Sequence, residues 1–153
     1  MPDLPPRQFE GLERALVQAG ASTLSGLLPA DPTAATTPIE GLAPLLVLLR
    51  RSLGAPADVR ECARLLLEAG ADPNGRTVDW GGEGERSELF DAVERGDLAL
   101  ARMLVERGAA TDEDAFYHAC EQSDTAFLDL LYQPGFERLV VHKLDFEDAA
   151  GLR

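Results

Sequence analysis

Residues 64–74, RLLLEAGADPN, constrain the fold more than any other stretch, because three further segments are weaker copies of them. Residues 102–110 read RMLVERGAA, 129–137 read DLLYQPGFE and 14–21 read RALVQAGA. Each copy runs from a charged residue through a short apolar block into a glycine. That is how an amphipathic helix ends: apolar residues line one face, and the glycine takes a left-handed cap that a residue with a Cβ resists. The helix-ending glycines fall at Gly20, Gly70, Gly108 and Gly135, separated by 50, 38 and 27 residues. Self-similarity at a few tens of residues marks a stacked array in which each unit shares its core with its neighbours.

The charge balance narrows the partners. Across 153 residues, 14 basic side chains face 27 acidic ones for a net charge of −13, and 10 basic against 22 acidic residues lie from position 58 onward. Such a surface repels a phosphate backbone or an anionic bilayer and attracts a basic protein. The first ten residues, MPDLPPRQFE, have neither the basic nor the apolar region of a secretory signal, and the longest apolar run, 42–49, is too short to span a bilayer. Cys62 and Cys120 sit inside helix-like stretches and read as small buried hydrophobes. The expectation is a cytoplasmic protein without nucleic-acid or membrane partners.

In chain order, residues 9–19 carry Phe9, Leu12, Leu16 and Ala19 at helical spacing, while 22–38, interrupted by Pro29, Pro32 and Pro38, read as a linker. Pro44 belongs in the first turn of a helix reaching Ser52. Asp58 is expected to cap a second helix through Ala69, with Val59, Cys62, Ala63, Leu65 and Leu66 inward. Residues 72–86, DPNGRTVDWGGEGER, predict a β-turn or finger-like hairpin. Ser87 caps the next helix, with Leu89, Ala92 and Val93 inward and Gly96 at its end; Asp97 caps its partner, 98–107. A third pair is expected over 113–122 and 124–133, and a fourth begins at 138 and stops at Arg153.

These residues resemble the ankyrin repeat, whose pattern is TPLHxA, a glycine, a second helix reading VxxLLxxGA, and an Asp or Asn in the turn. The segment CARLLLEAGADPN at 62–74 matches the second half, and SELFDA at 87–92, DAFYHA at 114–119 and APLLVL at 43–48 occupy the TPLHxA position. No copy has an intact TPLH, and the last lacks its LLxxGA half, so the array is expected to be truncated and to self-associate through an uncapped C-terminal edge. The resemblance implies an all-α, ankyrin-like solenoid of stacked helix-turn-helix repeats with short β-turn finger loops. Its N-terminal capping helix and Pro-rich linker would occupy 1–38, and its repeats 39–74, 87–112, 113–135 and, in part, 136–153.

Side-chain chemistry adds no catalytic constellation. His118 and Cys120, two residues apart on a helix, point about 200° apart, which opposes a shared metal or a nucleophile–base pair; His142 is read as structural or surface like His118. The GGEGE run at 81–85 carries acid where a phosphate would sit, and Asp112 with Asp114, or Glu83 with Glu85, lack the ligand count of a calcium loop. The chain is therefore expected to be no enzyme and to need no cofactor or metal.

What remains is a binding surface. In ankyrin repeats partners dock on the fingers and on the concave face of the first helices. By position, the resemblance implies partner contacts at Glu94, Arg95, Glu121 and Gln122, with Arg50, Arg51, Asp145 and Phe146 as further equivalents, and at Arg76, Asp79, Trp80, Glu83, Glu85 and Arg86 in the finger. Trp80 reads as an interface anchor or as a cap over a neighbouring helix. The expected function is a protein–protein interaction module, an adaptor or inhibitor of a basic protein. The alternative is an accessory or regulatory domain of a longer polypeptide.

Overall fold

A computed structural model describes residues 6–78 and 85–138. The described chain is mostly helical, and none of its helices is long and apolar enough to cross a membrane. Eight α-helices form four consecutive pairs: α1 (Pro6–Val17) with α2 (Ala21–Ala30), α3 (Pro44–Arg51) with α4 (Pro56–Glu68), α5 (Glu88–Glu94) with α6 (Leu98–Glu106), and α7 (Glu113–Ala119) with α8 (Ala126–Leu131). The first helices pack in sequence, α1 on α3, α3 on α5 and α5 on α7; the second helices form a parallel row, α2 on α4, α4 on α6 and α6 on α8. One apolar core runs through all four pairs, from Leu12 to Leu131.

The segment expected to be a linker is the main correction. Residues 21–30 form α2, which buries Leu24 and Leu28 and completes the first pair, and Pro32–Ala35 add a 3-10 turn that buries Ala35. The prolines do not prevent this: one opens a 3-10 turn, where its missing amide hydrogen is harmless, and the other gives up a single bond near the end of α2. Pro29 lies in the last turn of α2, and Pro32 opens the 3-10 turn, whose cap Asp31 accepts hydrogen bonds from the Thr33 amide and hydroxyl at 3.1 and 2.6 Å. The first turn also differs from expectation. Gly20 has φ −79°, and the left-handed residue is its neighbour Ala19 at φ 51°, whereas Gly70, Gly108 and Gly135 do adopt positive φ.

In α3, Pro44 opens the helix, and every side chain from Pro44 to Leu49 is buried because α1, α4 and α5 surround it. Helix α4 starts at Pro56, so Asp58 lies in its first turn rather than capping it, and the buried stripe is Val59, Cys62, Ala63, Leu66 and Leu67, with Leu65 half-buried. Arg64 is outside, held by Glu61 and Glu68.

Strands β1 (Arg76–Val78) and β2 (Glu85–Ser87) pair antiparallel, Arg76 opposite Ser87 and Val78 opposite Glu85, which gives the expected finger its root. Ser87 ends β2 and caps α5 by accepting from the Phe90 amide at 3.0 Å. Asp97 and Asp112 cap α6 and α7 in the same way. Helices α7 and α8 are each shorter than the sequence pattern predicts.

Successive loops are tied as well. Asn74 accepts from the Ala110 amide at 2.7 Å and donates to the Gly108 carbonyl at 3.0 Å, and the Ser87 hydroxyl donates to Asp112 at 2.6 Å. Asn74 thus fixes the turn after α4 to the turn after α6, which is why that loop ends in DPN.

Candidate functional site

The first-row helices α5 and α7 bring a run of planar groups to the surface. Arg86 places its guanidinium carbon 5.1 Å from the centroid of the Phe90 ring, and Phe90 stacks on His118 with centroids 4.9 Å apart and planes 19° from parallel. His118 Nδ1 stands 2.8 Å from Glu121 Oε2, and Arg86 Nη1 is 3.8 Å from Glu94 Oε2. Phe90 and His118 are half-buried, while Glu94 and Glu121 are exposed. An aromatic platform edged by two carboxylates results, one at the end of α5 and the other in the turn just after α7.

The platform has a rigid backing. Leu89, Ala92 and Val93 of α5 and Ala115, Phe116 and Ala119 of α7 are all buried, so neither helix can roll without opening the core. Asp91, on the α3 side of α5, accepts from Arg50 Nε at 3.0 Å and is itself only 4% exposed. Burial raises its carboxyl pKa above the usual range, and the Arg50 bond only partly opposes that.

Of the residues implied as partner contacts, Glu94, Glu121 and Arg86 edge this platform, and Gln122 follows Glu121 in the turn after α7. Arg95 does not. Its Nε donates to the Leu49 carbonyl at 2.6 Å and its Nη2 to Ser52 at 3.2 Å, so it closes the C-terminus of α3 from the next pair. Arg50 is engaged by Asp91, and Arg51 by Glu13 and Glu40. Arg76 and Glu85 are placed at the hairpin root by their backbone pairing. Asp79, Trp80, Glu83, His142, Asp145 and Phe146 lie outside the described residues.

Sequence reasoning missed Phe90 and weighed His118 only against Cys120 and His142. Phe90 lies one repeat before Tyr117, and nothing local in SELFDA or DAFYHA signals that its ring meets His118, since the stack depends on how the two pairs dock.

Elsewhere the surface offers less. A groove of about 340 Å³ between the N-termini of α4 and α6 holds Arg60 and Arg95, but Arg60 is held by both carboxylate oxygens of Asp97 at 3.0 and 2.9 Å and Arg95 by α3. Neither cation is free there for an anion. Among the described residues no three His, Cys, Asp or Glu side chains converge as a metal site. Cys62 is fully buried, and burial, with Asp58 and Glu61 nearby, raises its thiol to about 11, so it is held as an unreactive thiol. No known protein family's sequence profile matches this chain, and no curated protein matches it.

Proposed function

We propose that this chain is an ankyrin-like solenoid that binds a basic protein and acts as an adaptor or inhibitor. The reading is supported by the two-row stacking of helix pairs, by the loop-to-loop ties through Asn74 and Ser87, and by the −13 net charge. The observation that carries it is the Phe90–His118 stack between exposed Glu94 and Glu121. A half-exposed aromatic surface gives a lysine or arginine stem apolar area to cover, and the flanking carboxylates receive the charge at its end. Opposite potentials on the two partners would steer their encounter.

The test is affinity capture from native cell extract with the immobilised full chain, comparing wild type, a Glu94→Lys and Glu121→Lys double variant, and Glu106→Lys. Glu106 is exposed on α6, in the other helix row, and serves as the control. The proposal expects basic proteins to be retained by wild type and by the control and lost by the double variant. Equal retention by all three would refute it.

A further inference from the structure

Glu88 stands at the junction of β2 and α5, and it is the one fully buried carboxylate among the described residues. Neither of its oxygens has a hydrogen-bond partner of full geometry, although the Glu88 and Gly75 amides lie close enough to favour its charged form. The backbone that leads into β1 closes over it: a Cβ placed on Gly75 would fall 2.3 Å from Glu88 Oε1 and 3.6 Å from Leu46 Cδ1, so a larger residue there would have to displace the carboxyl. The side chain is thereby shut in beneath the strand that begins the hairpin.

Among the described side chains, no cation is paired with it. On α3, Arg50 directs its Nε to Asp91; on β2, Arg86 lies over Phe90 and beside Glu94. Arg102 and Glu106 of α6 and Glu113 and Asp114 of α7 are exposed, His118 of α7 is stacked on Phe90, and Asp112 is occupied by Ser87 and the Ala115 amide. The charges that do act on Glu88 are Asp72, from the loop before β1, and Asp91, one turn along α5, and both disfavour a further negative charge. Burial is the larger cause, and together they raise the carboxyl to about 8, against the opposing pull of the Glu88 and Gly75 amides.

We propose that Glu88 is a proton-operated latch for the hairpin: protonated, it holds the root of β1 and β2 against α5; ionised, it moves to solvent past Gly75 and releases that root. The hairpin yields, rather than the helix, because the two parts are anchored differently. Helix α5 is held by fully buried Leu89, Ala92 and Val93, whereas the ladder consists of three residue pairs. Asn74, bonded to Gly108 and Ala110, marks the fixed end about which residues 75–78 would swing.

Hydrogen exchange of the full chain, corrected for the intrinsic pH dependence of the chemical step, tests this at pH 6 and pH 9. The amides of residues 75–78 and 85–87 should exchange about tenfold faster at pH 9 in the wild type, those of α6 should be unchanged, and Glu88→Gln should abolish the difference. An equal rise in Glu88→Gln, or no rise in the wild type, would overturn the proposal. Carbon-13 titration of the wild-type carboxyls gives a second readout without any variant: a Glu88 inflection above 7 is expected, and one near the ordinary glutamate value would overturn it.

Discussion

Arg95, the C-cap of α5, donates its Nε proton to the carbonyl oxygen of Leu49 at 2.6 Å, and so one helix pair closes the end of the helix before it. A second nitrogen reaches Ser52 at 3.2 Å. The last carbonyls of α3 have no partner within the helix, and a fixed cation there also meets the negative end of its dipole. Arg95→Ala should therefore cost about 1.5–3 kcal/mol in urea denaturation. Arg95→Lys should recover only part of that, because an ammonium cannot span both carbonyls as the guanidinium fork does. Full recovery by lysine would show that charge alone matters.

Leu66 of α4 and Leu104 of α6 occupy equivalent repeat positions and are both fully buried in the continuous core. Leu66→Ala and Leu104→Ala should each lower stability by about 2–5 kcal/mol. Chemical denaturation measures both. Losses of only a few tenths would mean that these rows do not pack as described.

Gly70 has φ +103°, whereas Gly20 has φ −79° with no side-chain or backbone atom nearer than 3.6 Å to a built Cβ. Gly70→Ala should cost about 1 kcal/mol, since alanine resists the left-handed region. Gly20→Ala should be neutral within about 0.5 kcal/mol. Thermal melts of the two variants side by side decide the point, and equal losses would contradict it.

The contrast between those glycines shows what was legible in the sequence. Local signals are legible where they act locally: Ser87 and Asp97 cap the helices expected of them, although Asp58 does not, and the inward Leu89, Ala92 and Val93 follow from helical spacing. The first pair is hidden because Pro29 and Pro32 suggest a break, yet Pro32 opens a 3-10 turn, where no amide hydrogen is needed, and Pro29, inside the last turn of α2, forgoes one intrahelical bond that the burial of Leu24 and Leu28 offsets. The site was less legible still. Arg95 looked like a surface contact because nothing in its neighbourhood points to α3, and the Phe90–His118 stack joins residues 28 positions apart. Glu88 reads as an ordinary first-turn acid. Its burial is set by the fold, in which Gly75, from earlier in the chain, lies against the carboxyl.

The folded-state carboxyl of Glu88 titrates near 8 against a reference of 4.5. Between those values the native protein holds a proton that the unfolded chain has lost. The Glu88 contribution is therefore most favourable below about pH 4.5 and declines as pH rises to about 8. Glu88→Gln cannot ionise and should escape that decline. Its melting temperature should match the wild type near pH 5 and exceed it by about 5 °C or more at pH 8. A constant offset across that range would count against the assignment.

The proposed binding face makes its most direct demand on association kinetics. With a basic protein captured by the chain, the association rate constant should fall about tenfold as sodium chloride rises from about 50 to about 300 mM, because screening shortens the reach of the acidic face. The Glu94→Lys and Glu121→Lys double variant should associate slowly at both salt concentrations, and Glu106→Lys should follow the wild type. A wild-type rate indifferent to salt, or a Glu106→Lys loss equal to that of the double variant, would contradict the account.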